Sequence, residues 1–184
     1  SILLTSIFGD FWNAVDAHVF KLVQSSNQEV IAFFILISYL FEPLIVFVIT
    51  VILSFILWIS KKRVDAFFLL FSIAATFAVV RISKELIGRA RPLDPLIFEQ
   101  GYTFPSGHAT IAMVFFCLIL YLSYTHFQKH LSLVIIVGFF VVVLIGLSRI
   151  VLRVHYLSDV IGGYALGILL FFLFFGLHTL IGKK

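Results

Sequence analysis

Two residues with helical spacing stand out in a chain that is otherwise mostly apolar. His155 and Asp159 are four positions apart, which would place both side chains on one face of a helix. The carboxylate could then accept the Nδ1 proton of His155 and leave Nε2 free as a nucleophile. An isolated pair of this kind could equally be a structural contact at a helix start, with Asp159 as part of the cap. The other polar segments decide between these interpretations.

The tetrapeptide Pro105-Ser106-Gly107-His108 precedes a long apolar run. Ser106 is a favourable helix N-cap, and a helix N-terminus attracts phosphate through its free N–H groups and its dipole. Gly107 would let an anion approach the backbone, and His108 could protonate a leaving oxygen. The alternative is a capping turn that contains an incidental histidine.

Three cations accompany these segments, namely Lys84, Arg91 and Arg149. A phosphoryl group in transfer spreads negative charge over three equatorial oxygens, so its catalysis depends on fixed positive charge. Arginine suits such a site because its planar guanidinium can hold two oxygens at once. Each cation taken alone could instead anchor a helix end at the membrane surface.

Two further polar features allow weaker predictions. Arg81, Glu85 and Arg89 are spaced for an exposed ion-pair ladder on a helix, which would contribute little to stability. Glu42 stands beside Pro43 and either marks a helix break or lines a substrate entrance, since acidic residues within membranes are often functional.

The composition places these segments in a membrane. Of 184 residues, 62% are hydrophobic and only 12% are charged, whereas soluble domains are far more polar. A helix needs about 20 mostly apolar residues to cross a bilayer. Five runs fit this requirement, the third when polar residues on both sides extend it: Leu44–Ser60, Ala66–Ser83, Thr110–Tyr124, Leu131–Leu147 and Val160–Leu180. We therefore predict an all-α, polytopic transmembrane helical bundle. No basic run is interleaved with aromatic residues, which argues against nucleic acid as a partner.

The chain is interpreted as a single domain, with an amphipathic, interfacial N-terminal region over residues 1–42 and the helical bundle over 43–184. Apolar side chains recur at helical spacing before residue 28, and Trp12 suits the headgroup level. The polar residues among them are Asp10, Asp16, His18 and Lys21. Val30–Leu40 is shorter than a span; it could be a re-entrant or interfacial helix, or form a sixth span with upstream residues.

Counting spans places the polar segments on one side of the membrane. Lys84–Pro92 follows the second predicted span, Ser106 opens the third, and Ser148–Asp159 joins the last two. The opposite side carries a separate group of cations: Lys61, Lys62, Arg63, Lys129, Lys183 and Lys184. The positive-inside rule puts those cations in the cytoplasm, and so predicts an active site on the extracytoplasmic side.

Together the three segments resemble the signatures of the type 2 phosphatidic acid phosphatase (PAP2) family of integral membrane lipid phosphatases, which shares its core with vanadium haloperoxidases. The family signatures are K-x6-RP, PSGH and SR-x5-H-x3-D. In this chain they read Lys84 to Arg91-Pro92, Pro105 to His108, and Ser148-Arg149 to His155 and Asp159. The resemblance covers roughly residues 43–180.

The resemblance implies a helical bundle, a covalent phosphohistidine intermediate and no required metal or other cofactor. His155 would be the nucleophile, Asp159 its orienting partner and His108 the general acid. Five positions would hold the phosphate: Lys84, Arg91, Ser106, the Gly107 amide and Arg149. The remaining histidines show no convergent metal-ligand spacing; they are His18, His126, His130 and His178. Many family members have six spans, so residues 1–28 depart from that pattern.

The expected function is hydrolysis of a lipid phosphate or lipid pyrophosphate in the bilayer. Undecaprenyl pyrophosphate, phosphatidylglycerol phosphate, phosphatidic acid and lipid A 1-phosphate are all candidate substrates, and the sequence does not rank them. Two alternatives stay open: a lipid phosphotransferase that uses the same intermediate, and a non-catalytic membrane transporter or scaffold. The oligomeric state is open as well.

Overall fold

A computed structural model describes residues 9–126 and 128–181. Their α-helices are α1 (Asp10–Val23), α2 (Gln28–Leu40), α3 (Pro43–Ile59), α4 (Arg63–Ile87), α5 (Gly107–His126), α6 (Leu131–Val151) and α7 (Leu157–Ile181). A short 3-10 turn, Gln128–His130, precedes α6. The described part of the chain contains no β-strand, so the predicted all-α class is confirmed.

Five stretches of the described residues are long and apolar enough to cross a membrane, as predicted. Four of them correspond to α4, α5, α6 and α7, and the first runs over Gln28–Ile59. This first stretch begins earlier than the predicted Leu44–Ser60 because it includes α2 as well as α3. The chain is therefore an integral membrane protein built as a helical bundle.

A break at Phe41 and Glu42 separates α2 from α3. Pro43 occupies the first turn of α3, where its missing N–H costs no helical hydrogen bond. The same proline ring would clash with a helix continuing from α2. α2 packs against α6, whereas α3 packs against α4 and α5. The break therefore directs two consecutive helices to different neighbours, and it places Glu42 at the entrance to α3.

α1 shows the predicted amphipathic pattern, but its inner face packs against protein. Val19 and Val23 contact a small buried cluster that includes Ile150 of α6 and Val160 of α7. Asp16 lies on this same face and is only 3% exposed. The amphipathic pattern did not predict that this carboxylate would be buried, because the donors that make its burial tolerable come from distant parts of the chain.

The main hydrophobic core lies between α4, α5 and α7. It is formed by Phe68, Leu69, Ile73, Val114, Leu118, Leu122, Leu170 and Phe174. A polar cluster joins the same three helices at the end of the bundle away from the sequence motifs. There Asp65 contacts His126 Nε2 at 2.9 Å and Tyr121 Oη at 3.2 Å, and Tyr121 Oη lies 2.9 Å from His178 Nε2.

Two glycines let α5 and α7 approach closely. A Cβ atom on Gly163 would lie 2.8 Å from the Ser106 carbonyl oxygen, and one on Gly167 would lie 2.9 Å from the Thr110 carbonyl oxygen. Small residues at this spacing are the usual means of close helix packing in membranes. The approach brings the start of α5 against the start of α7, where the Ser106 N–H donates to the Asp159 carbonyl at 3.0 Å.

Gly167→Ala should lower the stability of the bundle by about 1–3 kcal/mol, because the added methyl group overpacks the α5–α7 contact. Thermal unfolding in detergent would measure the effect. Gly176→Ala is the matched control, since it lies on the same helix and its added Cβ would meet nothing within 4 Å. Equal melting temperatures for the two variants would contradict this account of the packing.

Candidate active site

The three polar segments meet at one end of the bundle. Lys84 lies in the last turn of α4, His108 in the first turn of α5, and His155 in the connection between α6 and α7. The connection between α4 and α5, residues 88–106, packs over them. A pocket of about 250 Å³ opens here; its wall includes Lys84, Arg91, Gly107, His108 and His155. The wall therefore contains both histidines and two of the three predicted cations.

The link between His155 and Asp159 runs through a threonine. His155 Nδ1 and Asp159 Oδ2 are 3.6 Å apart, too far for a hydrogen bond. The Thr103 hydroxyl lies 2.9 Å from Nδ1 and donates to Oδ2 at 2.6 Å. Because the hydroxyl proton of Thr103 is directed at the carboxylate, its oxygen accepts a hydrogen bond from the Nδ1–H of His155. Nε2 is then left with its lone pair free, as nucleophilic attack requires.

His155 and Asp159 lie at ion-pair distance, but the hydrogen-bonded link expected between them runs through Thr103, and the reason is local. α7 begins at Leu157, so His155 precedes the helix and the helical i,i+4 geometry does not apply to the pair. Asp159, in the first turn, also accepts the Tyr156 backbone N–H at 2.8 Å. The Asp159 carboxylate thus caps the start of α7 and also faces His155 through Thr103.

Burial controls the protonation of the candidate nucleophile. His155 is 3% exposed, and burial lowers its pKa from the ordinary value to about 3. The negative charge of Asp159 opposes this shift, while the nearby positive charges of Lys84 and Arg149 add to it. The imidazole is therefore neutral, and competent to attack, throughout the physiological pH range.

The predicted cations also hold the connection between α4 and α5. Lys84 Nζ donates to the Tyr102 carbonyl at 2.5 Å. The Arg91 guanidinium donates to the carbonyls of Gly101 at 2.9 Å, Gln100 at 2.9 Å and Val154 at 2.8 Å. Arg91 thereby ties this connection to the residue just before His155, while its side chain lines the pocket.

Arg149 occupies a different position from the other two cations. It is completely buried, and its guanidinium forms an ion pair with Glu99 and a hydrogen bond to the Ser38 hydroxyl. Glu99 itself lines the pocket. The carboxylate therefore lies between Arg149 and the pocket, and a phosphate could reach this guanidinium only if Glu99 moved aside.

The PSGH segment forms the start of α5. Ser106 is fully buried, and its hydroxyl lies 3.5 Å from the Ala109 N–H, in the predicted capping position. A Cβ atom on Gly107 would meet only Val80 Cγ1, at an ordinary 3.5 Å. His108 Nε2 lies 3.2 Å from Glu42 Oε2. Glu42 lines the pocket as well, and it also stands at the predicted break between α2 and α3.

The predicted ion-pair ladder is wrong for one of its three members. Arg81 and Glu85 form an exposed pair at 3.3 Å, but Arg89 is 8% exposed. Gly88 adopts a left-handed conformation with φ of 64° and ends α4, so Arg89 no longer follows the helical spacing. Its guanidinium instead forms ion pairs with Asp16 and Asp159. Because Arg89 lies beyond the end of α4, its guanidinium can reach the carboxylates of Asp16 and Asp159.

The sequence did not identify Thr103, Glu99 or Arg89 as site residues. Thr103 precedes PSGH by only a few positions, and Arg89 lies between Lys84 and Arg91, so closeness to the motifs was the one available signal. Within the described residues, no group of three or more His, Cys, Asp or Glu side chains is arranged to hold a metal ion.

Comparisons with known proteins agree on one family. The PAP2 superfamily matches residues 65–182. Phosphatidylglycerophosphatase B of Bacillus subtilis is 36% identical over 127 residues; the match covers 67% of this chain and 63% of that protein, less than two thirds of its length.

Two solved structures have similar folds. The first is the crystal structure of a transmembrane PAP2 type phosphatidylglycerolphosphate phosphatase from Bacillus subtilis. It superposes with a TM-score of 0.87 at 30% identity, over 98% of this chain and 92% of that one. The second, Aquifex aeolicus LpxE, has a TM-score of 0.69 at 23% identity, over 87% and 94% of the two chains. The second likeness concerns the fold alone.

Thr103→Val should lower kcat by about 10- to 100-fold for any reaction in which His155 is the nucleophile. The substitution removes one of the three hydrogen bonds to the buried Asp159 carboxylate, a charge-assisted bond of about 1.5–3 kcal/mol, and each 1.4 kcal/mol is about ten-fold in rate. Phosphate release from lipid phosphates in micelles would measure it. Thr103→Ser keeps the hydroxyl and serves as the control; equal rates for the two variants would exclude the threonine link.

Proposed function

Because the chain belongs to the PAP2 superfamily, we propose that it is a membrane-embedded phosphatase that hydrolyses a lipid phosphate or lipid pyrophosphate through a phosphohistidine intermediate. The observation that carries the proposal is the environment of His155. This buried, neutral imidazole is oriented through Thr103 toward Asp159 and lies in the wall of a pocket shared with His108, Lys84 and Arg91. An anion-binding or transport site would not require a nucleophile prepared in this way.

In the first proposed step, His155 Nε2 attacks phosphorus and forms a P–N bond as the bond from phosphorus to the bridging oxygen breaks. His108 gives its proton to that oxygen, so the lipid product leaves as the alcohol or, from a pyrophosphate, as the monophosphate. The positive charge that develops on the His155 ring is stabilised by Asp159 through Thr103. Lys84, Arg91 and the Gly107 amide are proposed to stabilise the phosphoryl oxygens.

In the second step, water attacks the phosphohistidine. His108, now neutral, takes a proton from the water as its oxygen bonds to phosphorus, and the P–N bond electrons return to His155 Nε2. Inorganic phosphate leaves, and His108 is again protonated for the next cycle. Ser106 and Arg149 are assigned to phosphate binding as well. For Arg149 this requires Glu99 to release the guanidinium when phosphate enters.

The pocket wall suits a substrate whose tail remains in the bilayer. Beside its charged groups, it includes the apolar side chains of Pro43, Phe77, Val80 and Ile111. The names of two relatives make phosphatidylglycerol phosphate the first substrate to test. Undecaprenyl pyrophosphate, phosphatidic acid and lipid A 1-phosphate complete the panel. The arrangement of cations along the chain supports an extracytoplasmic active site.

Wild-type protein should release phosphate from at least one of these four lipids in detergent micelles, and His155→Ala should abolish the release. His130→Ala is the matched control, because His130 is exposed and belongs to the 3-10 turn before α6. Vanadate should inhibit as a mimic of the trigonal-bipyramidal transition state, and EDTA should not.

Phosphate release that persists in His155→Ala would contradict the nucleophile assignment. Transfer of phosphate to an added acceptor lipid, in place of release into water, would favour the phosphotransferase. Inactivity of the wild type on all four lipids would favour the transporter or scaffold.

The dependence of kcat/KM on pH should be bell-shaped, because attack requires neutral His155 and protonation of the leaving oxygen requires charged His108. The pKa of His155 is about 3, so this residue stays neutral as the pH falls below 6.5, the ordinary value for histidine. The acidic limb set by His155 should therefore lie well below pH 6.5. Suppose instead that kcat/KM falls on the acidic side near pH 6.5, and that only substitutions around His155 remove this fall. That result would contradict the lowered pKa of His155.

A further inference from the structure

A buried chain of charges and hydrogen bonds runs from α1 to the candidate nucleophile. It begins at Asp16, in the middle of the inner face of α1. Oδ1 of Asp16 accepts the Ser158 backbone N–H at 2.9 Å. Oδ2 accepts the Ser158 hydroxyl at 2.5 Å and Arg89 Nη2 at 2.7 Å. These three bonds hold the carboxylate against the first turn of α7 and against Arg89, which lies just beyond the end of α4.

The guanidinium of Arg89 is shared between two carboxylates. Its Nη2 donates to Asp16, while its Nη1 donates to Asp159 Oδ1 and also to the Ser158 hydroxyl at 2.7 Å. The guanidinium carbon lies 4.4 Å from the centre of the Tyr156 ring, a cation–π distance. Contacts on both edges and one face fix the orientation of the guanidinium, so Asp159 receives only part of its positive charge.

That division of charge matters for the chemistry of His155. When Nε2 bonds phosphorus, the imidazole ring gains a positive charge, and the Asp159 carboxylate stabilises it through Thr103. A carboxylate that had to neutralise the whole charge of Arg89 would be a weaker acceptor for Thr103. It would therefore stabilise the charged ring less. Asp16 takes up the other half of the guanidinium and prevents this.

We propose that Asp16 is a positioning residue for phosphoryl transfer. By binding Arg89 Nη2 it holds the guanidinium in register with Asp159, and it leaves the Asp159 carboxylate free to act on His155 through Thr103. α1 thereby contributes to the reaction although it lies far from the signature segments in the sequence. The inference rests on the phosphohistidine mechanism proposed above.

α1 has attachments to the bundle that do not depend on Asp16. Val19 and Val23 pack against the cluster that includes Ile150 and Val160. Beyond the end of α1, the Gln24 carbonyl accepts a hydrogen bond from Arg153 Nη2 at 3.2 Å. A change of charge at Asp16 should therefore alter the Arg89 contact while the helix stays in place.

Asp16→Asn tests the role, because it removes the charge and keeps the shape of the side chain. We expect kcat to fall about ten-fold, equivalent to about 1.4 kcal/mol. KM should be unchanged, since Asp16 lies outside the pocket wall. The inhibition constant of vanadate, which mimics the transition state on His155, should rise by a similar factor, whereas that of inorganic phosphate should not. Asp10→Asn, at the exposed start of α1, is the matched control.

Equal kcat values and vanadate inhibition constants for Asp16→Asn and Asp10→Asn would overturn the positioning role. A lower kcat with an unchanged vanadate constant would overturn it too, because that combination reports only a loss of folded enzyme. If Asp16→Asn does not fold, Ser158→Ala takes its place, since it removes the hydroxyl that links Arg89 Nη1 to Asp16 without changing any charge. An unchanged vanadate constant in that variant would be decisive against the role.

The same assays separate this inference from the proposed function. An active wild type with an unaffected Asp16→Asn variant would exclude the positioning role alone. A wild type that is inactive on every lipid of the panel would overturn the proposed function, and the positioning role with it.

Discussion

The carboxylate of Asp159 is buried completely, and a buried charge is tolerated only when it is paired and hydrogen-bonded. Its partners come from three parts of the chain: Arg89 after α4, Thr103 before α5, and the Tyr156 N–H at the start of α7. The need to satisfy one anion thus fixes the segments that carry the candidate catalytic groups. It also explains why the three sequence motifs meet at one point.

Close helix packing makes this arrangement possible. Gly163 and Gly167 bring α7 against α5, and the contact lets the Ser106 N–H donate to the Asp159 carbonyl. At the other end of the same helices, Asp65 and its histidine and tyrosine partners join α4, α5 and α7. Polar ties thus lie at both ends of a core that is otherwise hydrophobic. Because lipid tails are as apolar as that core, the association of the helices must be driven by close packing and by polar contacts between them.

The cations of the site have two kinds of partner. Arg91 and Lys84 line the pocket while they hold backbone carbonyls of the α4–α5 connection. Arg149 is held by Ser38 and by Glu99, whose carboxylate also lies 3.6 Å from Arg91 Nη2. The groups expected to bind phosphate thereby also hold the backbone of this connection. Entry of a substrate phosphate would exchange some of these internal bonds for bonds to its oxygens, and would couple binding to the conformation of the connection.

Residue types and their order were enough to predict the helical class, five membrane-crossing stretches and the meeting of the three motifs on one side. These follow from hydropathy, from the length of a span and from the order of motifs, all of which are local or additive properties. The sequence also identified His155, Asp159, His108 and the cations as candidates by residue type and spacing. What these groups do stays a proposal, although the structure brings His155, Asp159, His108, Lys84 and Arg91 close together.

The connections between those groups became visible only in the folded chain. Thr103 stands between His155 and Asp159 because His155 precedes the helix, so a spacing argument based on helical geometry could not apply. Arg89 leaves the predicted ladder because Gly88 ends α4, and Asp16 is buried because its donors fold against α1 from distant parts of the chain. Local spacing cannot reveal such pairings, because the free energy of a buried charge depends on partners that only the folded chain brings near.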